Sequence, residues 1–181
     1  MEALAVLLAI LYLVLAVRQN ILCWAAGILS SILYLFIMYR AELYMEAGLQ
    51  VFYIAMGFYG WAQWKSSKSK FLVRSWKIQN HLMAISLILF LTFTSGYLLE
   101  IFTDAALPFF DALTTWGAVV ATYMVAKKLI ENWIYWFIID FISIFLFLSR
   151  DLNLTALLFF GYLIIIFFGY RSWSQLRSDS Q

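Results

Sequence analysis

The stretch NWIYWFIIDFISIFLFLS, residues 132–149, decides the fold of this chain. It is apolar or aromatic almost throughout, and its only charged residue is Asp140. As an α-helix, a stretch of this length rises about 27 Å, close to the ~30 Å hydrocarbon thickness of a bilayer. The sequence therefore predicts a membrane-spanning helix that carries an acid at membrane depth.

Three side chains of this helix share one face, because Trp133, Trp136 and Asp140 are spaced i, i+3 and i+7. A carboxylate at the centre of a bilayer costs roughly 2.5 to 3.5 kcal/mol or more. Aromatic faces beside one acid suit a flat, cationic organic solute. Two other interpretations stay open: Trp133 belongs to an interfacial aromatic belt, or Asp140 is a structural acid bonded to a neighbouring helix.

The rest of the chain has the same character, being 65% apolar, 20% aromatic and 12% charged, with one proline. This composition predicts a polytopic, all-α integral membrane protein. The first apolar segment leads directly into the second, so we expect it to remain in the mature protein. Apolar runs predict seven spanning helices, near residues 3–18, 20–39, 43–63, 81–99, 109–126, 132–149 and 154–173.

Several function classes are disfavoured by the residues that the sequence lacks. Cys23 is the single cysteine, and no Cys/His cluster has metal-ligand spacing, so neither a metal nor another cofactor is expected. There is no Gly-rich phosphate loop. A net charge of only +2 argues against nucleic-acid binding. An intramembrane enzyme would need a nucleophile with a base, or paired acids, and only Asp140 lies deep in a span.

Charge predicts the orientation of the chain. With the amino terminus outside, ten Lys and Arg residues fall on the cytoplasmic side, and only Arg40 and Arg150 fall outside. The ten are Arg18, Lys65, Lys68, Lys70, Arg74, Lys77, Lys127, Lys128, Arg171 and Arg177. We therefore predict an outside amino terminus and an inside carboxyl terminus.

An internal repeat is predicted from landmarks that recur in order. Asn20, Trp24 and Ser31 match Asn132, Trp136 and Ser143, and after a small loop deletion Tyr53, Gly60 and Trp64 match Tyr162, Gly169 and Trp173. We interpret these as two three-helix units of parallel orientation around a fourth, linking helix. Such repeats place a solute between the halves and let one half rock against the other, which makes transport the leading hypothesis.

The predicted division of the chain follows from this repeat. It comprises a first three-helix bundle (1–64), a basic cytoplasmic loop (65–80), a linker helix with an outer loop (81–108), a second three-helix bundle (109–173) and a cytoplasmic tail (174–181). Trp61, Trp64 and Trp173 are assigned to the interfacial aromatic belt. The glycines at 57, 60, 117 and 169 are predicted to allow close helix approach.

Several stretches resemble the PnuC family of bacterial vitamin transporters, and together they span nearly the whole chain. They are Leu43-Tyr44, Leu49-Gln50-Val51-Phe52, Tyr59-Gly60-Trp61-Ala62-Gln63-Trp64, Glu131-Asn132-Trp133 with its Trp-x-x-Trp-x-x-x-Asp continuation, and Gly169-Tyr170-Arg171-Ser172-Trp173. The resemblance implies a three-plus-one-plus-three fold like that of a full-length SWEET transporter, a homotrimer with one path per protomer, and a bacterial inner-membrane location. It also implies facilitated diffusion of nicotinamide riboside, thiamine or riboflavin, with a cytoplasmic kinase trapping the solute by phosphorylation.

The resemblance also suggests a subtype and a binding site. The last place of the Trp-x-x-Trp motif is typically Asn in the family's nicotinamide riboside transporters, whereas Asp140 resembles the thiamine-transporting, PnuT-like branch. A carboxylate only accepts hydrogen bonds, which suits an aminopyrimidine, whereas Asn also donates and suits a carboxamide. Thiamine is therefore favoured, with nicotinamide riboside as the alternative; a passive channel or scaffold subunit and a carrier of neutral sugars remain open. The predicted substrate-binding residues are Trp133, Trp136, Asp140, Gln50, Tyr53, Trp24 and Asn20.

Overall fold

The protein is described here by a computed structural model that covers residues 2–40, 44–65, 72–103, 107–149 and 153–178. These residues form seven α-helices, which confirms the predicted all-α fold. The helices are α1 (Glu2–Val17), α2 (Leu22–Arg40), α3 (Tyr44–Lys65), α4 (Ile78–Phe102), α5 (Pro108–Ala126), α6 (Asn132–Leu148) and α7 (Asn153–Ser178). Residues 66–71 of the predicted basic loop, the end of the predicted tail, Leu43 and Arg150 lie outside the described residues.

The lengths and outer surfaces of these helices suit a bilayer. Three segments are long and apolar enough to cross it, namely Ile78–Phe102, Pro108–Ala126 and Ala156–Arg177. Shorter apolar helices cover Glu2–Val17, Leu22–Ile37 and Asn132–Leu148. Large apolar side chains are exposed along the outer faces, among them Met83, Phe90 and Phe93 of α4. Exposed apolar surface of this extent indicates a lipid or protein environment rather than water.

The helices pack as two groups of three. In the first bundle, α2 packs against both α1 and α3, and in the second bundle, α6 packs against both α5 and α7. The two bundles meet where α3 contacts α5 and where α1 contacts α7. The main packing partner of α4 is α5, and at its start His81 also stacks on Tyr135 of α6, with 3.0 Å between His81 Nδ1 and the Tyr135 hydroxyl. The buried side of α4 repeats every fourth residue, at Ala84, Ile88, Thr92 and Gly96.

Glycines allow the closest of these helix contacts, as predicted. An added Cβ would lie 2.4 Å from Ile28 at Gly57, and 2.3 Å from the Trp24 ring at Gly60. At Gly169 it would lie 2.5 Å from the Trp133 ring, and at Gly117 it would lie 3.0 Å from Ile139. These distances leave no room for a larger residue at Gly57, Gly60 or Gly169 unless the neighbouring side chain moves.

The segment before α4 is attached to the second bundle. The backbone N–H of Arg74 donates to the carbonyl of Lys128 over 2.9 Å, and the N–H of Ile130 donates to the carbonyl of Arg74 over 2.9 Å. The Glu131 carboxylate accepts hydrogen bonds from the Ser75 hydroxyl and the Trp76 N–H. The start of α4 is therefore fixed to the turn between α5 and α6.

Two of the three tryptophans assigned to an interfacial belt lie in the core instead. Trp64 and Trp173 are buried, and each donates its indole N–H to a helix-end carbonyl of the other bundle. The prediction was wrong for both, because their positions at helix ends coincide with the junction of the bundles. Trp61 is half-buried against the same core.

Candidate functional site

Asp140 lies in the middle of α6, eight residues after Asn132 and thus about 12 Å along the helix. Its side chain is only 4% exposed. It interacts electrostatically with the phenol groups of Tyr53 and Tyr162. Within the part of the chain that the structure describes, no cation pairs with this carboxylate and no donor is hydrogen-bonded to it. Burying a carboxylate without such partners costs free energy. A ligand that supplies a cation or a hydrogen-bond donor would recover part of that free energy on binding.

The acid lies between the two bundles. Tyr53 belongs to α3 of the first bundle, whereas Tyr162 and Asp140 belong to α7 and α6 of the second. Two further phenols extend the set, since Tyr12 interacts with Tyr53 and Tyr34 interacts with Tyr162. A phenol hydroxyl can both donate and accept a hydrogen bond. The interior between the bundles therefore offers one acidic group with several adaptable phenol groups nearby.

Two other predicted residues have positions compatible with this set. Trp136 is half-buried and precedes Asp140 by four residues, so both lie on the same side of α6. Gln50 is half-buried and precedes Tyr53 by three residues on α3. Asp140, Tyr53, Trp136 and Gln50 thus form a group of predicted residues that the two bundles can present to one ligand.

Trp133 and Trp24 belong to the buried core cluster, against which Trp136 packs. The Trp133 ring lies over Gly169 and meets Trp173 edge-on, with ring centroids 5.4 Å apart. The Trp24 ring lies over Gly60 and meets Trp64 edge-on at 5.5 Å. Edge-to-face contacts at these distances are favourable packing geometry. Both rings are therefore occupied by contacts within the protein.

Asn20 has a local role in the structure. It is exposed in the turn between α1 and α2, and its side-chain oxygen accepts a hydrogen bond from the N–H of Leu22 over 2.9 Å. An Asn in this position satisfies a free donor at the start of a helix. The structure does not bring Asn20 together with Asp140.

The contacts of the tryptophans revise the register of the internal repeat. Trp24 on Gly60 and Trp133 on Gly169 are equivalent contacts, and each second member lies 109 residues after the first. The same spacing relates Gln19 to Lys128, which share positive φ angles of 51° and 52°. The predicted match of Trp24 with Trp136 was therefore wrong by three residues. In the corrected register, Ser31 occupies the place of Asp140, so at this position of the repeat the acid belongs to the second bundle alone.

Tyr162 was missing from the predicted site although a signal for it was present. The sequence matched Tyr53 with Tyr162 in the repeat, and Tyr53 was a predicted site residue. Symmetry alone would have proposed Tyr162 as its counterpart. The structure supports this choice, because both tyrosines interact electrostatically with Asp140.

The fold and the buried interior acid define a class of protein: a multi-pass integral membrane protein with a polar interior suited to a small solute. Residues 1–175 match the model of the family described as "Nicotinamide mononucleotide transporter". The chain belongs to this family, which includes PnuC, and it is a membrane transporter rather than an enzyme.

Individual relatives support this assignment over nearly the full length. The chain is 26% identical to the riboflavin/roseoflavin transporter RibM of Streptomyces davaonensis, covering 97% of this chain and 85% of that protein. It is 24% identical to the nicotinamide riboside transporter PnuC of Escherichia coli, covering 95% and 84%. The crystal structure of the vitamin B3 transporter PnuC shares the fold, with a TM-score of 0.80 at 21% identity, covering 99% of this chain and 83% of that one.

Proposed function

We propose that this chain transports a cationic vitamin, thiamine in the first place, by facilitated diffusion through a site between its two bundles. The observation that carries the proposal is Asp140, a buried acid that has no cationic partner among the described residues and interacts electrostatically with Tyr53 and Tyr162. A permanently cationic ring bound beside it would complete an ion pair at membrane depth. Trp136 provides an aromatic face next to the acid for cation–π contact.

The choice of thiamine over nicotinamide riboside rests on hydrogen-bond polarity and on the motif. Both solutes carry a cationic ring, so charge alone does not separate them. A carboxylate at position 140 can accept a hydrogen bond from the exocyclic amine of an aminopyrimidine, whereas it repels the carbonyl oxygen of a carboxamide. Nicotinamide riboside remains the alternative, supported by the PnuC relative at 24% identity.

The proposed mechanism is rocking of the two bundles around this site. Contacts that recur at a spacing of 109 residues, such as Trp24 on Gly60 and Trp133 on Gly169, support a parallel repeat like that of SWEET transporters. The distribution of Lys and Arg supports an outside amino terminus. The proposal further includes a bacterial inner-membrane location, a homotrimer and a cytoplasmic kinase that traps the vitamin by phosphorylation.

Binding to the purified protein tests this function. Thiamine and nicotinamide riboside are titrated by calorimetry against the wild type and Asp140→Asn. Asp111→Asn is the control, since it makes the same chemical change in the first turn of α5. We expect saturable thiamine binding that Asp140→Asn weakens by about 10- to 100-fold, the effect of losing a charged hydrogen bond, while Asp111→Asn leaves it unchanged.

Other results of the titration would point elsewhere. Riboside binding without thiamine binding would contradict the assignment at position 140. Riboflavin binding, as named for the Streptomyces davaonensis relative, would contradict the cationic solute. The absence of saturable binding by all three would favour a passive channel or scaffold subunit.

A further inference from the structure

The two bundles exchange hydrogen bonds at one end of the molecule, where α1, α3, α5 and α7 finish. The Trp64 indole N–H of the first bundle donates to the carbonyl of Ala126 at the end of α5, over 3.2 Å. The Trp173 indole N–H of the second bundle donates to the carbonyl of Ala16 near the end of α1, over 3.0 Å. The arrangement is reciprocal, because each bundle supplies one tryptophan and one helix end.

Three more hydrogen bonds cross between the bundles at the same end. Lys128 Nζ donates to Gln19 Oε1 over 2.8 Å, Lys127 Nζ donates to Gln63 Oε1 over 3.1 Å, and the Ser172 hydroxyl donates to the carbonyl of Val17 over 3.2 Å. Lys128 is 8% exposed, and its ammonium lies 4.6 Å from the centroid of the Trp64 ring. We call these five hydrogen bonds the latch.

The latch encloses polar atoms that are left without partners. The indole N–H groups of Trp24 and Trp133, the amide nitrogen of Gln19 and the amide oxygen of Asn132 are buried and have no hydrogen-bond partner among the residues that the structure describes. Burial also lowers the pKa of the Lys128 ammonium, so its charged form is held at a cost. Water would satisfy all of these groups if the bundles separated here. The bonds formed on closing are therefore opposed by groups that favour opening.

We propose that the latch closes the solute path at the end that we predict to face the cytoplasm, and that its breaking is the step that opens the path there. This inference rests on the proposed rocking of the bundles. The reciprocal tryptophans hold the closed state, and the unpartnered groups keep its free energy close to that of the open state. A device balanced in this way opens without large energy input, as facilitated diffusion requires.

Cys23 provides a native probe of this opening. It is the only cysteine of the chain, it is fully buried, and it belongs to the same core cluster as Trp64, Trp173 and Ala126. A thiol reagent can reach it only when the cluster opens. Provided that opening and closing are fast relative to the chemistry, the alkylation rate is proportional to the open population.

The experiment measures alkylation of Cys23 by N-ethylmaleimide in the full-length protein reconstituted in liposomes. Trp64→Phe and Trp173→Phe each remove one latch hydrogen bond and keep an aromatic ring, and Ser172→Ala removes the hydroxyl that donates to the carbonyl of Val17. Trp116→Phe is the matched control, because its indole N–H donates to Ser95 Oγ over 2.9 Å between α5 and α4, outside the latch.

We expect each latch variant to alkylate about two- to tenfold faster than the wild type, the effect of one lost hydrogen bond on a two-state equilibrium. Trp116→Phe is expected to react at the wild-type rate. Equal rates in the wild type and all three latch variants, with complete alkylation of each in detergent, would overturn the proposal. An equal acceleration by Trp116→Phe would also overturn it, since general loosening would then explain the effect.

Titration of thiamine and nicotinamide riboside into the same samples separates the two proposals. If the vitamin binds but the latch variants are alkylated at the wild-type rate, the transporter function stands and the latch proposal is overturned. Faster alkylation in the latch variants without binding of either vitamin would support the latch and contradict the assignment of a cationic vitamin.

Discussion

At the scale of single residues, two tryptophans three positions apart in α6 have different surroundings. Trp136 is half-buried near Asp140, whereas Trp133 is 2% exposed and lies between Gly169 and Trp173. We therefore expect Trp136→Ala to weaken thiamine binding by about 2- to 30-fold, the range of one cation–π contact, and to lose less stability than Trp133→Ala, because Trp136 is only half-buried against the core. Trp133→Ala should instead destabilise the fold by roughly 3 to 5 kcal/mol. Calorimetry and thermal unfolding in detergent measure the two effects; the reverse pattern would place the stacking surface at Trp133.

The two tyrosines that interact electrostatically with Asp140 allow a finer substitution. Tyr53→Phe and Tyr162→Phe each remove a hydroxyl that can bond either the carboxylate or the bound vitamin. We expect each to weaken vitamin binding by about 2- to 10-fold, the effect of one net hydrogen bond. Tyr97→Phe on the exposed side of α4 is the control and should have no effect. An effect of Tyr53→Phe without one of Tyr162→Phe would indicate that the vitamin contacts only the first bundle.

At the scale of helices, glycines set how closely α3 approaches α2 and α7 approaches α6. A Cβ at Gly60 or Gly169 would lie 2.3 Å or 2.5 Å from a tryptophan ring, whereas no atom of another described segment lies within 4 Å of a Cβ at Gly48 or Gly161. Gly60→Ala and Gly169→Ala should therefore cost about 1 to 3 kcal/mol of stability through overpacking. Gly48→Ala and Gly161→Ala should be neutral or slightly stabilising. Thermal unfolding of the four variants compares them, and equal losses at all four positions would show that close approach is not the cause.

The existence and order of the helices were predictable, but some of their contacts were not. Apolar run length located all seven, since the energetic demand of the bilayer applies to each helix separately. The roles of Trp64 and Trp173 depend on which helix ends meet, and hydropathy carries no such information. The predicted match of Trp24 with Trp136 was wrong because Trp133 lies only three residues earlier, on nearly the same face of α6. Either tryptophan can therefore be aligned with Trp24. The choice between them needed Gly60 and Gly169, whose contacts only the folded structure shows.

At the scale of the whole molecule, the proposed site and the latch lie at different depths of the same junction. Asp140 is about 12 Å from the start of α6, whereas the latch lies at the helix ends beside Trp64 and Trp173. A vitamin between the bundles would contact groups of both, including Tyr53 and Tyr162, and would therefore sense their relative position. The chemistry of binding and the control of access are thus assigned to separate residues, which substitutions can alter independently.

The orientation of the molecule in the membrane is the prediction on which the direction of the latch depends. An outside amino terminus places ten of the twelve Lys and Arg residues on the cytoplasmic side, among them Lys127 and Lys128 of the latch. A reporter fused after Gln181 should therefore be active as a cytoplasmic fluorescent protein and inactive as a periplasmic phosphatase. A fusion after Thr103, in the predicted outer loop, should show the opposite pattern and serves as the internal control. If both patterns are inverted, the charge argument fails and the latch closes the outer end of the path; the hydrogen bonds that form it would be the same, but they would then control entry of the vitamin rather than its release.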